Sequence, residues 1–190
     1  SLHGATCSQL EYEGGPLGEV CQYRYHCSNG HSTGWGPCTC GGGGGCFVPG
    51  TQIDLGDGST QSIESIEKGD TIASFDETTG SMDVGVVAEL HEPIQWSYYL
   101  VINGTLKVTP SHQLRTNGSW VQAAEIRPGD RIARADGTDA EVTTIEVVVA
   151  DVTVHHFASS PHETFIADGF VVHNKPPIPK EEEPENPDRD

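Results

Sequence analysis

The stretch Ile66-Glu67-Lys68-Gly69-Asp70-Thr71-Ile72-Ala73 returns sixty residues later as Ile126-Arg127-Pro128-Gly129-Asp130-Arg131-Ile132-Ala133. The first Ile, the Gly-Asp pair and the Ile-Ala pair keep their places. The same offset carries Gly58-Ser59 onto Gly118-Ser119. Two chance turns of the form x-x-Gly-Asp are the plain alternative, but the spacing and the apolar flanks agree together, which favours a duplication. Two copies are too few for a solenoid. The expected arrangement is a pair of β units packed about a pseudo-two-fold axis.

The residues around the repeat support an all-β reading. Segments 51–55, 70–75, 83–90, 96–102, 105–109, 130–135, 141–157 and 169–173 are short and rich in β-branched or aromatic side chains. Turn signals separate them at Gly56-Asp57-Gly58, Thr79-Gly80, Asn103-Gly104, Asn117-Gly118, Asp136-Gly137 and Asp168-Gly169. No stretch of about ten residues keeps a helical period. Short helical turns are expected only at 63–70 and 123–130, each ending in one of the two Gly-Asp pairs.

Composition divides the chain into three regions. Residues 1–45 are rich in Gly and Cys and end in five consecutive glycines, which read as a flexible connector. Residues 46–174 hold most of the Val, Ile and Leu. Residues 175–190 are Pro-rich and acidic and read as a solvated tail. The net charge of −18 disfavours nucleic acid and anionic membranes as partners. No apolar run approaches the ~20 residues needed to span a bilayer.

All six cysteines precede residue 47, at Cys7, Cys21, Cys27, Cys38, Cys40 and Cys46. Five lie upstream of Cys46, so two pairs among them leave one over. Cys21, Cys27, Cys38 and Cys40, with His26 and His31, fit no common zinc spacing. Metal, disulfides and free thiols all stay open for this segment.

Three places in the chain carry candidate chemistry. Cys46 stands at the junction between the glycines and the first apolar segment, beside the Gly45–Cys46 peptide bond. A thiol there is a nucleophile once a base activates it; a small core residue or a disulfide partner is the structural alternative. Thr109 and His112 flank Pro110 in Thr109-Pro110-Ser111-His112, setting a hydroxyl and an imidazole on one turn. His173-Asn174 ends the last apolar segment. An Asn side-chain nitrogen can attack its own backbone carbonyl and cut the bond to Lys175, provided the chain is held in the right geometry.

Taken in order, Cys46-Phe47-Val48-Pro49-Gly50, Thr109-Pro110-Ser111-His112, Asp151-Val152-Thr153-Val154 and the run from His162 to Asn174 resemble the Hint superfamily of inteins, bacterial intein-like domains and hedgehog autoprocessing domains. The likeness covers residues 46–174 and is nearest to a bacterial intein-like domain or a mini-intein without an endonuclease. It implies a horseshoe-like all-β Hint fold between an N-terminal flank, residues 1–45, and a C-terminal flank, residues 175–190. It also implies roles. Cys46 attacks the Gly45 carbonyl to form a thioester, and Thr109 and His112 assist. Asp151 relays protons or tunes the thiol; a solvent-facing strand end is its plain alternative. His162 supports cyclisation of Asn174, and His173 is its neighbouring acid–base group. His155 and His156 are read as structural.

One departure decides the expected products. Efficient inteins follow the terminal Asn with Cys, Ser or Thr, whereas this chain has Lys175. Cleavage at both ends is therefore expected to outrun joining of the flanks. Hedgehog-type attack by an external alcohol is the nearest rival, but it has no need of a terminal Asn. Cys40 or Cys38 could also cap Cys46 as a disulfide across the glycines until a reductant opens it; a plain Gly spacer is the alternative. The expected activity is single-turnover and self-directed, on the chain's own flanks, in a monomer, with no cofactor or metal. A catalytically silent β module within a larger surface protein is the competing reading.

Overall fold

A computed structural model describes residues 46–174 and, upstream of them, residues 7–14, 21–28, 31–32 and 36–37. The described residues form β-strands and two short 3-10 turns, with no α-helix. Phe47, Ile53, Ile72, Tyr98, Leu100, Leu114, Ile132, Phe157 and Phe165 are fully buried and share one apolar core.

The repeat is visible bond by bond. The 3-10 turns Ile63–Ser65 and Ala123–Glu125 occupy equivalent places and close through the same Ile N–H to carbonyl bond, Ile66 to Ile63 and Ile126 to Ala123. In each copy the Gly-Asp pair ends a turn. Gly69 and Gly129 take φ values of 91° and 97°, which only glycine adopts readily. Asp70 and Asp130 each accept a hydrogen bond from the backbone three residues earlier, at Glu67 and Arg127, both at 2.8 Å.

The hairpins form where Asn-Gly and Asp-Gly were expected. Asn103-Gly104, Asn117-Gly118 and Asp168-Gly169 all have positive φ at both residues, as a type I′ turn requires. The third of these joins Thr164–Ala167 to Phe170–His173, two strands buried along their whole length.

That hairpin is the seam of the molecule. In the largest sheet it lies between the two copies: Thr164–Ala167 pairs with Gln52–Asp54 of the first, and Phe170–His173 pairs with Gln113–Thr116 of the second. Two three-stranded sheets complete the unit. One joins Ile145–Val154, Ile94–Ile102 and Leu106–Val108; the other joins Phe157–Ser160, Ser81–Leu90 and Thr71–Asp76.

One sequence expectation needs correction. The run 141–157, read as one strand, is three pieces. The side chain of Asn103 accepts the Thr143 and Thr144 N–H groups and breaks the first junction. After Val154 the chain changes sheets, leaving the strand Ile94–Ile102 for the strand Ser81–Leu90. Upstream of Cys46 the described residues form a small sheet. Cys7–Gly14 and Cys21–Cys27 pair antiparallel, and Gly36–Pro37 adds a short third strand. The five-glycine connector, Cys38, Cys40, Gly45, Lys175 and the acidic tail lie outside the described residues.

Candidate active site

The upstream boundary is pinned by backbone on two sides. Phe47 exchanges two hydrogen bonds with His155, at 2.9 and 2.8 Å, and bridges Val108 on its other side. This fixes Cys46 against Thr109. The Cys46 N–H, which belongs to the Gly45–Cys46 peptide bond, donates to Thr109 Oγ1 at 2.8 Å. The Thr109 N–H donates back to the Cys46 carbonyl at 3.0 Å. Cys46 is 1% exposed and packs with Val48, Trp96 and Val154. It is disulfide-bonded in this structure.

His112 sits on the same turn. Its ring meets the Phe47 ring edge-on with centroids 4.3 Å apart, and it is fully buried. The second copy's 3-10 turn holds the motif in place: Ala123 and Ala124 donate to the carbonyls of His112 and Pro110, at 2.8 and 2.9 Å. The repeat thus supplies the platform for the imidazole.

The downstream boundary is gathered onto the same segment. Gln113, the residue after His112, is the register partner of His173, and Leu114 is that of Val172. Asn174 is buried, and its N–H donates to the Glu163 carbonyl at 2.9 Å. Its side-chain Oδ1 lies 2.9 Å from Ser159 Oγ. Residues 109–113 therefore touch Cys46 at one end and His173 at the other.

A sequence profile of the pretoxin Hint domain matches residues 53–175, well over half of the chain. The chain belongs to the pretoxin Hint family. Solved structures agree in fold. A bacterial intein-like domain from Clostridium thermocellum is 25% identical, covering 68% of this chain and 98% of that domain, with a TM-score of 0.61. The DnaB intein of Synechocystis sp. PCC 6803 is 21% identical over 69% of this chain and 99% of its own, with a TM-score of 0.61. The Ssp DnaB mini-intein variant M86 is 19% identical, with a TM-score of 0.64 over 72% of this chain and 98% of its own. No curated protein matches the chain. Autoprocessing is the general activity of such domains.

Within the Hint domain, His173 is tuned by its surroundings. Burial holds its pKa below the ordinary imidazole value, opposed by the nearby Glu77 and Glu163 carboxylates and by the Asn174 backbone. Its Nδ1 is buried and makes no well-formed hydrogen bond among the described residues. Glu77 Oε2 lies 3.9 Å from His173 Nε2, and the Trp120 ring stands edge-on to the imidazole at 4.7 Å. Trp120 Nε1–H donates to Glu77, and Arg115 lies 3.8 Å from the same carboxylate.

Two residues expected in the site lie apart from it. Asp151 is exposed at the bulge in Ile145–Val154, and among the described residues no hydrogen bond or ion pair joins it to Cys46, Thr109 or His112. The His162 ring points to Asp83, with Nε2 to Oδ2 at 2.9 Å, and only its backbone carbonyl reaches the Asn174 group, through Ser159. His162, Asp83 and Asp76 bring donor atoms within 4.8 Å of one another, a set that can hold a cation. His155 contributes backbone only to the Cys46 bridge, while His156 is buried and stacks on His91.

Ser159, Glu77 and Trp120 were not singled out in the sequence. Ser159 had a weak signal. It shares the inward face of Phe157–Ser160 with Phe157, and a hydroxyl on a core face needs a partner.

Proposed function

We propose that this Hint domain cuts itself from both flanks in a single turnover. The observation that carries the reading is the segment 109–113, which engages the scissile amide N–H of Cys46 through Thr109 and pairs with His173 through Gln113. Both boundaries meet on one rigid platform, which is what orientation-driven chemistry requires.

At the upstream end the Cys46 thiolate attacks the Gly45 carbonyl carbon. The Gly45–Cys46 C–N bond breaks, the Cys46 amine takes a proton from His112, and a thioester remains. Thr109 holds the amide nitrogen during this shift. At the downstream end Asn174 Nδ2 attacks its own carbonyl carbon. The bond to Lys175 breaks, leaving a succinimide and a free Lys175 amine. His173, largely neutral near pH 7 because its pKa is depressed, takes the Nδ2 proton and returns it to the leaving amine. Lys175 carries no hydroxyl or thiol to receive the acyl group, so hydrolysis or aminolysis of the thioester dominates and joining of residues 1–45 to 175–190 is minor. The substrates are the chain's own flanks, in a monomer. The name pretoxin fits a role in freeing the segment downstream of Asn174.

The disulfide at Cys46 adds a condition. A sulfur held in a disulfide cannot attack, so the upstream step waits for reduction; Cys38 or Cys40 is the proposed partner. A mass spectrum of the full chain, incubated with a thiol reductant, tests the proposal. It should show residues 1–45, 46–174 and 175–190 as separate species, and Lys175→Cys should raise the joined product. A chain that stays intact would favour the silent module. Efficient joining in the wild type would overturn the product order.

A further inference from the structure

We infer that Ser159 is a positioning residue for Asn174 and selects which atom of its amide is presented for attack. This rests on the proposed cyclisation. Ser159 Oγ has three acceptors within reach: the His162 carbonyl at 2.8 Å, Asn174 Oδ1 at 2.9 Å and the Thr164 carbonyl at 3.2 Å. A hydroxyl has one proton and can give it to one of them at a time. Two arrangements follow. When Ser159 donates to Asn174 Oδ1, the amide is held by its oxygen and Nδ2 is left to the backbone carbonyl. When Ser159 donates to a backbone carbonyl, its lone pair instead accepts from Nδ2 after an amide flip, and the nucleophile is tied up.

The first arrangement also helps the chemistry. As Nδ2 gives up a proton, amide resonance places part of the negative charge on Oδ1, and a preorganised O–H aimed there makes that proton easier to remove. The charge passes to the Asn174 backbone carbonyl oxygen as the N–C bond forms. Ser159, Thr164 and Asn174 are all buried, so the bond is made away from water, where it counts for most. Ser159 keeps its own proton throughout. The only net transfer is from Nδ2 to the departing Lys175 nitrogen, as the C–N bond to Lys175 breaks.

The backbone explains how a serine reaches this spot. The pairing of Phe157–Ser160 with Ser81–Leu90 slips between Ala158 and Ser159. The extra residue, Ala88, falls in Ser81–Leu90, so Phe157–Ser160 keeps its alternation and Ser159 stays on the inward face with Phe157, where it meets the end of the adjoining hairpin.

Release of residues 175–190 from the full chain, read by mass spectrometry, tests the inference. Ser159→Ala should slow it by roughly 10- to 100-fold, the loss expected when one hydrogen bond to a group that gains charge is removed. Ser159→Thr should cleave near the wild-type rate, while Ser159→Val, equal in size but without the hydroxyl, should be as slow as Ser159→Ala. Ser159→Cys, a weaker donor, should fall between. Circular dichroism and amide NMR spectra identify any variant that loses the fold. Wild-type rates in folded Ser159→Ala or Ser159→Val would overturn the inference while leaving the proposed function standing, as would equal rates for the Thr and Val variants. A wild-type chain that never releases residues 175–190 would sink both.

Discussion

The two boundaries of this Hint domain share one platform but are held in different chemical states. At Cys46 the surroundings are apolar and closed: Phe47, Val48, Trp96 and Val154 pack around it, and the sulfur is in a disulfide. At Asn174 the reacting side chain already sits in a hydrogen bond, beside a histidine watched by two carboxylates. On the proposed mechanism the first site needs its disulfide opened before it can act, whereas the second needs only a proton moved. Sharing a platform therefore does not mean sharing a control, and the downstream cut should run without the upstream one.

The largest test of that contrast is reductant. Without a thiol reductant, the Gly45–Cys46 bond should survive while residues 175–190 are still released. Adding a dithiol should open the upstream cut and leave the downstream rate unchanged. Parallel gains at both ends would show a single coupled site and break the comparison. Next in size is His112→Ala. A positioned acid contributes on the order of 10²–10⁴-fold, so thioester formation should fall by that range. The downstream rate should change far less, because His112 contacts Thr109 and Phe47 and only its chain neighbour Gln113 pairs with His173. Trapping the thioester with hydroxylamine measures the first rate and the released peptide measures the second.

Much of this was legible in the sequence because it depends on backbone. Asn103-Gly104, Asn117-Gly118 and Asp168-Gly169 form type I′ turns, while at Asp57-Gly58 and Asp136-Gly137 only the glycine takes positive φ; the Ile-x-x-Gly-Asp repeat encodes a turn that closes on itself. The register that sets His173 opposite Gln113 follows once those hairpins form. What was hidden depends on side chains meeting across sheets. Ser159 reaches Asn174 from an adjoining sheet, and Glu77 reaches His173 from the turn between Thr71–Asp76 and Ser81–Leu90. His162 was read as a partner of Asn174 from motif order, yet Asp83, 79 residues earlier, holds its ring. The N-terminal strands had a signal of their own: Tyr23, Tyr25 and Cys27 alternate with polar residues. The glycines and cysteines around them masked it.

A smaller effect concerns the fold that both sites depend on. Burial, with the neighbouring His91 second, pushes the pKa of His156 down from 6.5 to about 3. The unfolded chain protonates this histidine below pH 6.5 and the folded chain does not, so its contribution is complete above 6.5 and is lost as pH falls toward about 3. The slope is about 1.4 kcal/mol per pH unit within that window. Urea unfolding should show stability falling from pH 6.5 downward, and His156→Phe, which keeps a ring against His91, should flatten that fall.

The finest test separates His173 from His156 in the same acid range. If neutral His173 is the proton carrier, release of residues 175–190 should be flat above about pH 7 and should drop through an inflection below the ordinary imidazole value. Glu77 raises the His173 pKa against the larger effect of burial. Glu77→Gln should therefore move the inflection to lower pH and leave the plateau rate alone. It should change the acid dependence of unfolding only a little, because the larger histidine shift there is that of His156. The upstream cut offers the control, because Glu77 lies beside His173 and Trp120 rather than Cys46. An inflection that stays put in Glu77→Gln, or one that tracks the unfolding curve in both proteins, would assign the acid limb to loss of fold and remove His173 from the proton path.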